Sequence, residues 1–399
     1  MCATCHAPAT YDVTAHHHHR QGTAAASCVA CHMPSRLYMV VDRRHDHGFR
    51  VPRPDLTVAL GTPNACADCH QDHPASWAAE AVVKWYGPTR TRGPTWARAF
   101  AAGRGWEAGA EQLLAEAAVQ PGTPSIVRAT AIELLSRFPA AVQPSLMERA
   151  VADGDPLVRR SSLALLVAVE PSKRWDMGSP LVSDTVRTVR LEAVDGLAGA
   201  PVPAAQQSTF DRTVKEYRAA QALNADRADS WLNLGALDAR LGDPATAETD
   251  YRRAMRLQPS FMPSYVNLAD LYRAQGRDRD GEKVLREALA REAGAAEVHY
   301  ALGLLLVRSG RRGDAVAELA RAAALAPDMP RYAYAYALGL HGTGERAKAL
   351  SVLAAAQGRF TGDRDILVAL VQLSVEAGEQ ETAARWGQKL QALDRRVPR

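Results

Sequence analysis

The sequence predicts a mainly α-helical protein in which a short irregular segment pinned by cysteines precedes an α-solenoid built from two kinds of repeat. Three observations carry this. The pattern C-x-x-C-H stands three times in the first seventy residues, as CATCH at 2–6, CVACH at 28–32 and CADCH at 66–70. The pairs Val127-Arg128, Val158-Arg159 and Val189-Arg190 recur every 31 residues. Gly242, Gly276, Gly310, Gly344 and Gly378 recur every 34. Fixed periods of this length mark stacked helical units, each unable to bury its apolar face alone. The expected domains are 1–87, 88–200 and 207–399.

In the first segment, C-x-x-C-H is the attachment pattern of c-type haem. Two thiols at this spacing bond the vinyl-derived carbons of one porphyrin, and the histidine after them lies under the iron as proximal ligand. All six cysteines are used: Cys2 and Cys5, Cys28 and Cys31, Cys66 and Cys69. One such motif also fits a redox dithiol or half a zinc site, but three that leave no cysteine over point to three covalent haems c. The stretch is rich in Pro, His and Arg and poor in helical periodicity. So short a segment buries little core of its own. Porphyrins would supply that core, with short helices at the motifs and irregular loops between.

With His6, His32 and His70 as proximal iron ligands, the distal candidates are His16, His17, His18, His19, His45, His47 and His73. Met33 and Met39 are alternative axial ligands, though packing on a haem face is the plainer reading. The run His16–His19 also reads as a purification tag, although embedded in YDVTAHHHHRQG and not at a terminus, or as a solvated surface or a zinc site. Neighbouring residues on a helix point about 100° apart, so two of its imidazoles can serve different irons. His45 and His47 share a face on extended chain, and one suffices as ligand. Arg43, Arg44, Arg50 and Arg53 offer guanidinium forks to haem propionates, or form a solvated basic loop.

After GPTRTRGP the composition turns to Ala and Leu. PSIVRATAIELL, DPLVRRSSLALL and TVRLEAVDGL repeat in register, with Leu135, Leu166 and Leu197 on the same interval. Their content resembles HEAT-type helix pairs, with Asp155 as N-cap and Pro156 at the first helical position. A docking surface and a plain spacer are both open readings.

Beyond PVPAAQQ the 34-residue lattice holds at several positions. Trp231, Tyr265 and His299 share one register; Leu234, Leu268, Leu302, Tyr336 and Leu370 a second; Ala247, Gly281, Ala315, Ala349 and Ala383 a third. With WLNLG and late prolines (Pro259, Pro327), this is the tetratricopeptide signature. Glycine ends the first helix and the small residue lets the second pack closely. Four repeats are clear, the fifth from about Arg364 is degraded, and 210–224 reads as the second helix of a partial unit. The concave face is expected to dock a protein or peptide. His299 and His341 sit in helix patterns and read as ordinary packing.

The formal charge of +4 over 399 residues is too small to argue for nucleic acid. No apolar run approaches the roughly 18–20 residues that span a bilayer. Cys2 follows Met1 directly, so an export signal is missing from the chain as given. Haem attachment outside the cytoplasm then implies a periplasmic or extracellular protein read from a mature form or a fragment. The sequence has no paired carboxylates at one face, no nucleophile elbow and no phosphate-binding glycine loop.

The string CVACHMPSRLYMVVDRRHDHGFRVPRPDLTVALGTPNACADCH (28–70), with YDVTAHHHH before it and WAAEAVVKWYG after it, resembles the haem segment of bacterial multihaem cytochromes c fused to HEAT-like and tetratricopeptide repeats. Such proteins often carry labels borrowed from cytochrome c nitrite reductase. The resemblance implies distal ligands among His16–His19 and at His47, and further haem motifs upstream of an ordinarily internal one. The favoured function is electron transfer through mostly bis-histidine haems, with redox proteins or other copies of a multihaem cytochrome as partners. The alternative is a reductase of nitrite or hydroxylamine at one open iron, although no C-x-x-C-K motif is present. The third reading is a haem-free zinc scaffold.

Overall fold

The computed structural model describes residues 2–4, 6–88 and 96–395. It divides into two compact units, Met1–Arg98 and Ala99–Arg399. No helix among the described residues is long and apolar enough to cross a membrane.

In the first unit each motif winds into a single helical turn. These are the 3-10 turn Cys2–Thr4, the α-helix Cys28–His32 and the 3-10 turn Ala65–Asp68. The His6 N–H donates to the Cys2 carbonyl at 3.0 Å and the His70 N–H to the Cys66 carbonyl at 2.9 Å. On such a turn, residues i, i+3 and i+4 project from one side. In the second and third motifs that side carries both cysteines and the histidine. Cys5, the second cysteine of the first motif, lies outside the described residues. Asn64 opens the third turn, its side chain accepting from the Ala67 N–H.

Between the second and third motifs stands an antiparallel hairpin, Ser35–Tyr38 paired with Asp42–His45, in the register Ser35↔His45. Two non-glycine residues, Met39 (φ 50°) and Val40 (φ 69°), make its turn in the left-handed region. Helices Pro54–Leu60 and Ala75–Tyr86 complete the unit. Its polypeptide core is very small. Among the described residues up to 88, only Ala26, Pro54, Asn64 and Ala78 are buried. Large apolar side chains such as Tyr38, Met39, Val40, Phe49 and Trp85 stand exposed.

The second unit is a stack of helices with a continuous core. In its first part the 31-residue period has a double cause. Val127, Val158 and Val189 are buried, as are Leu135, Leu166 and Leu197. The arginine beside each valine reaches forward to a carboxylate of the next unit. Arg128 meets Asp153 at 2.8 Å, Arg159 meets Asp184 at 2.6 Å and Arg190 meets Glu216 at 2.8 Å. Each also donates to a backbone carbonyl five or six residues away, of Thr123, Asp153 and Asp184. Asp155 caps helix Pro156–Ser162 by accepting the Leu157 N–H at 2.9 Å.

Helix Ala204–Ala222 leads into five helix pairs. They run from Ala228–Arg240 with Pro244–Leu257 to Arg364–Glu376 with Gln380–Asp394, so the fifth repeat is a complete pair despite its weak sequence pattern. Gly242, Gly276, Gly310, Gly344 and Gly378 all lie at φ between 71° and 88°, a conformation that glycine adopts at no steric cost. Ala247, Ala315 and Ala349 are fully buried where consecutive helices approach.

The beginning and end of this unit are joined. Trp106 packs against both the core of the first helices and that of the last repeats. The Gly362 N–H donates to the Trp106 carbonyl at 2.7 Å, and the Ala108 N–H to Thr361 Oγ1 at 3.0 Å. A Cβ on Gly362 would lie 2.5 Å from the Glu107 carbonyl oxygen, so only glycine fits there.

Candidate functional site

The candidate site is the set of imidazoles gathered around the three motif turns. His32 follows its cysteines on helix Cys28–His32, and its Nδ1 lies 2.9 Å from the Arg50 carbonyl. A carbonyl only accepts, so Nδ1 carries the proton and Nε2 keeps its lone pair for a metal. Across from His32 stands His16, ring centroids 6.2 Å apart and planes within 15°. His19 repeats the arrangement. Its Nδ1 lies 2.5 Å from the His17 carbonyl, which again leaves Nε2 its lone pair. Its ring is 6.0 Å from that of His70, with 31° between planes.

The separations can be set against those of two imidazoles on one iron. An imidazole nitrogen lies about 2.0–2.1 Å from a first-row metal such as zinc, and iron is similar. The nitrogen itself is about 1.1 Å from the ring centre, given ring bonds near 1.33 Å. Two imidazoles sharing one iron therefore have centres about 6 Å apart. Both pairs fit that value, and so does His73 with His70 at 6.2 Å.

The remaining candidates are placed differently. His17 Nδ1 accepts the His19 N–H at 3.2 Å, so a neutral His17 carries its proton on Nε2 and has no lone pair there. His18 stacks on Trp85 at 4.1 Å, and burial, then the neighbouring His16, His17 and His19, hold it below the ordinary histidine range. His45, in the hairpin, gives Nδ1 to the Met33 carbonyl at 2.7 Å and is exposed, as is His47. His73 stacks on Trp77 at 4.3 Å and lies 6.2 Å from His70, a second neighbour for that ring. His6 has Tyr11 beside it, centroids 5.5 Å apart and edge to face. Met39 is exposed at the hairpin tip.

The sulfurs also converge. Cys28 is pushed up by burial and then by Cys2, within hydrogen-bond reach. Cys31 is pushed up by burial and then by Cys66, Cys69 and Cys28. Burial does the same to Cys66. Clustered thiols resist becoming charged. A thioether sulfur carries no charge, so bonding to vinyl carbons would remove that repulsion. Among the described residues no three His, Cys, Asp or Glu side chains surround one point as a protein-built metal site requires. Haem asks less of the chain, because the porphyrin supplies four nitrogens and the protein only the axial pair. Small polypeptide core, exposed aromatics and facing imidazoles all fit a bound porphyrin.

The four arginines take other partners. Arg44 pairs with Asp42, Arg50 with Asp46 and, half-buried and bidentate, Arg53 with Asp55. Arg43 donates to Ser35. Side chains that sequence reasoning did not single out are the aromatics of helix Ala75–Tyr86. Trp77 packs on His70 and His73, Trp85 on His18, and the Tyr86 hydroxyl donates to the His16 carbonyl. Their spacing on the helix puts Trp77 and Tyr86 on opposite faces and gives no one-face pattern, so no periodicity in the sequence announced them.

In the second unit, residues 228–261 match the model of the tetratricopeptide repeat. The chain carries tetratricopeptide repeats. The repeat region is similar to solved structures at low identity. One is MamA, 20% identical over 40% of this chain and 94% of that one, TM-score 0.37. Another is MamA from Desulfovibrio magneticus RS-1, 19% identical over 42% and 95%, TM-score 0.37. A third is YrrB, described as a tetratricopeptide protein with an unusual peptide-binding site, 20% identical over 44% and 90%, TM-score 0.36. No curated protein matches the sequence.

Proposed function

We propose that this protein is an extracytoplasmic electron-transfer cytochrome whose first segment holds three haems c and whose repeat solenoid docks a redox protein partner. The observation that carries it is two pairs of neighbouring imidazoles, His16 with His32 and His19 with His70, at 6.2 and 6.0 Å between ring centres. Haem, when bound, supplies the one-electron chemistry. The chain's own part is to anchor, orient and close. Cys2, Cys28, Cys31, Cys66 and Cys69, with Cys5, are the anchoring thiols; His6, His32 and His70 are the proximal ligands. Carbonyls of Arg50 and His17 fix the tautomers of His32 and His19. At the second and third motifs two imidazoles would leave a bound iron no open position, which would suit passage of electrons better than chemistry on a substrate. Motif starts only 26 and 38 residues apart keep the three sites close.

A reductase reading keeps one specific support: the ring packed on His6 is the phenol of Tyr11. Spectroscopy of protein matured in a cell that attaches haem c separates the readings. Relay predicts only low-spin signals at the second and third motifs, unchanged by cyanide or nitrite. A high-spin iron at His6 that binds nitrite would shift the function to catalysis. A protein with no Soret band would remove both.

A further inference from the structure

The run His16–His19 sends two of its members to two different motifs, and the cause is a bend in the middle of it. Thr14–His17 is one helical turn, and His18 ends it at φ 55°, ψ 25°, in the left-handed region. Left-handed backbone is uncommon outside glycine, asparagine and aspartate, and persists where surroundings enforce it. The surroundings here are the last residues of helix Ala75–Tyr86. The His18 ring lies flat on Trp85, centroids 4.1 Å apart and planes within 10°, and meets Tyr86 edge-on at 5.4 Å. Tyr86 also holds the residue two before the bend, its hydroxyl donating to the His16 carbonyl. After the bend, His19 is fixed twice on His17, through its N–H and through Nδ1. The left-handed residue thus separates a member aimed at His32 from a member aimed at His70.

We propose that His18 is a positioning residue and not an iron ligand: clamped between Trp85 and Tyr86, its left-handed backbone divides the histidine run between two irons. The inference rests on the haem reading and goes beyond it by assigning distinct roles within HHHH. His18 Nε2, like His17 Nε2, is buried with no hydrogen-bond partner; what marks His18 out is its left-handed backbone and its stack on Trp85. A valine here would resist the left-handed conformation, while an asparagine would accept it.

The test uses the full chain loaded with haem c and reads spin state by visible and EPR spectra, with reductive titration. His16→Ala and His19→Ala each turn one low-spin iron high-spin. His18→Asn leaves every low-spin signal in place. His18→Val, which keeps bulk but refuses the bend, loses low-spin character at both the second and third motifs. Trp85→Leu, which removes the stack on His18 and leaves the His16 and His19 side chains intact, shifts the midpoints of the same two irons and leaves the first. Loss of one low-spin signal in His18→Asn would make His18 a ligand and overturn the inference. So would a His18→Val protein spectrally identical to wild type. Wild-type protein that takes up no haem would bring down the underlying reading itself, an outcome told apart by its missing Soret band.

Discussion

At position 299 a histidine stands where the two preceding repeats carry Trp231 and Tyr265, and the reason is a carbonyl six residues upstream. Trp231 Nε1 donates to the Ala225 carbonyl, the Tyr265 hydroxyl to that of Pro259, and His299 Nε2 lies 2.9 Å from that of Ala293. The lattice position asks for a buried ring with a polar tip. His299 adds a second contact, Nδ1 to Glu318 at 2.5 Å. His299→Leu strips both partners and should lower stability by about 1–3 kcal/mol in urea unfolding. His299→Tyr should retain more, because it keeps the bond to Ala293. A second residue of consequence is Asp250, raised to about 6 by burial first and then by Asp238, with Arg218 and Arg253 opposing. A carboxyl whose folded pKa lies above its unfolded one holds its proton more tightly in the fold. Its contribution therefore favours the fold below pH 4 and fades as pH climbs to 6. Asp250→Asn should flatten that window and raise stability at pH 7, by on the order of 3 kcal/mol at most. Thermal unfolding from pH 4 to 7.5 measures it, and a pH profile parallel to wild type would contradict the assignment.

At the scale of elements, the two repeat types were legible because burial and spacing coincide. Each Val-Arg pair combines a core side chain with a rung to the next unit, so both members return every 31 residues. Arg159 and Asp184 form the most enclosed rung, and Arg159 is the main cause that holds Asp184 below the usual carboxylate range. Arg159→Ala leaves that buried carboxylate with the Val186 N–H and nearby Arg190 but without its guanidinium fork, a loss of about 1–3 kcal/mol. Because the shift is downward, the rung contributes fully above the unfolded carboxyl pKa and is lost as pH falls through the lower folded value. The variant should accordingly lose part of the wild type's acid sensitivity. The hairpin was not legible. Its turn rests on Met39 and Val40 at positive φ, with none of the glycine, asparagine or aspartate that normally announces one. The facing imidazoles were hidden for a related reason. The four-histidine run marked the right neighbourhood, but a left-handed His18 decides which members part company, and no residue type there signals it. Neighbours far along the chain, Trp85 and Tyr86, impose the bend.

At the scale of the molecule, the second unit departs from an open stack, in which each repeat touches only its neighbours and fraying starts at the ends. Trp106, Ala108, Thr361 and Gly362 tie its first helices to its last repeats across more than 250 residues of chain. Gly362→Val should break this joint, since its side chain meets the Glu107 carbonyl. Hydrogen exchange would then rise in the first helices and the last repeat together, while Gly358→Ala, where a Cβ meets nothing, should leave both protected. Exchange rising at one end only would mean the ends are stabilised separately. The first unit poses the opposite case. The four buried residues among those described cannot carry a fold of this size, and thioether-bound porphyrins are what we propose as the rest of its core.

The most direct measurement is the intact mass of the full chain, expressed with a haem-attachment system and denatured before analysis. The account predicts an increment of three haems that survives denaturation, with none of the six cysteines open to alkylation. An unmodified mass with reactive thiols would contradict it, and the chain would then be a repeat protein with a histidine-rich extension of some other purpose.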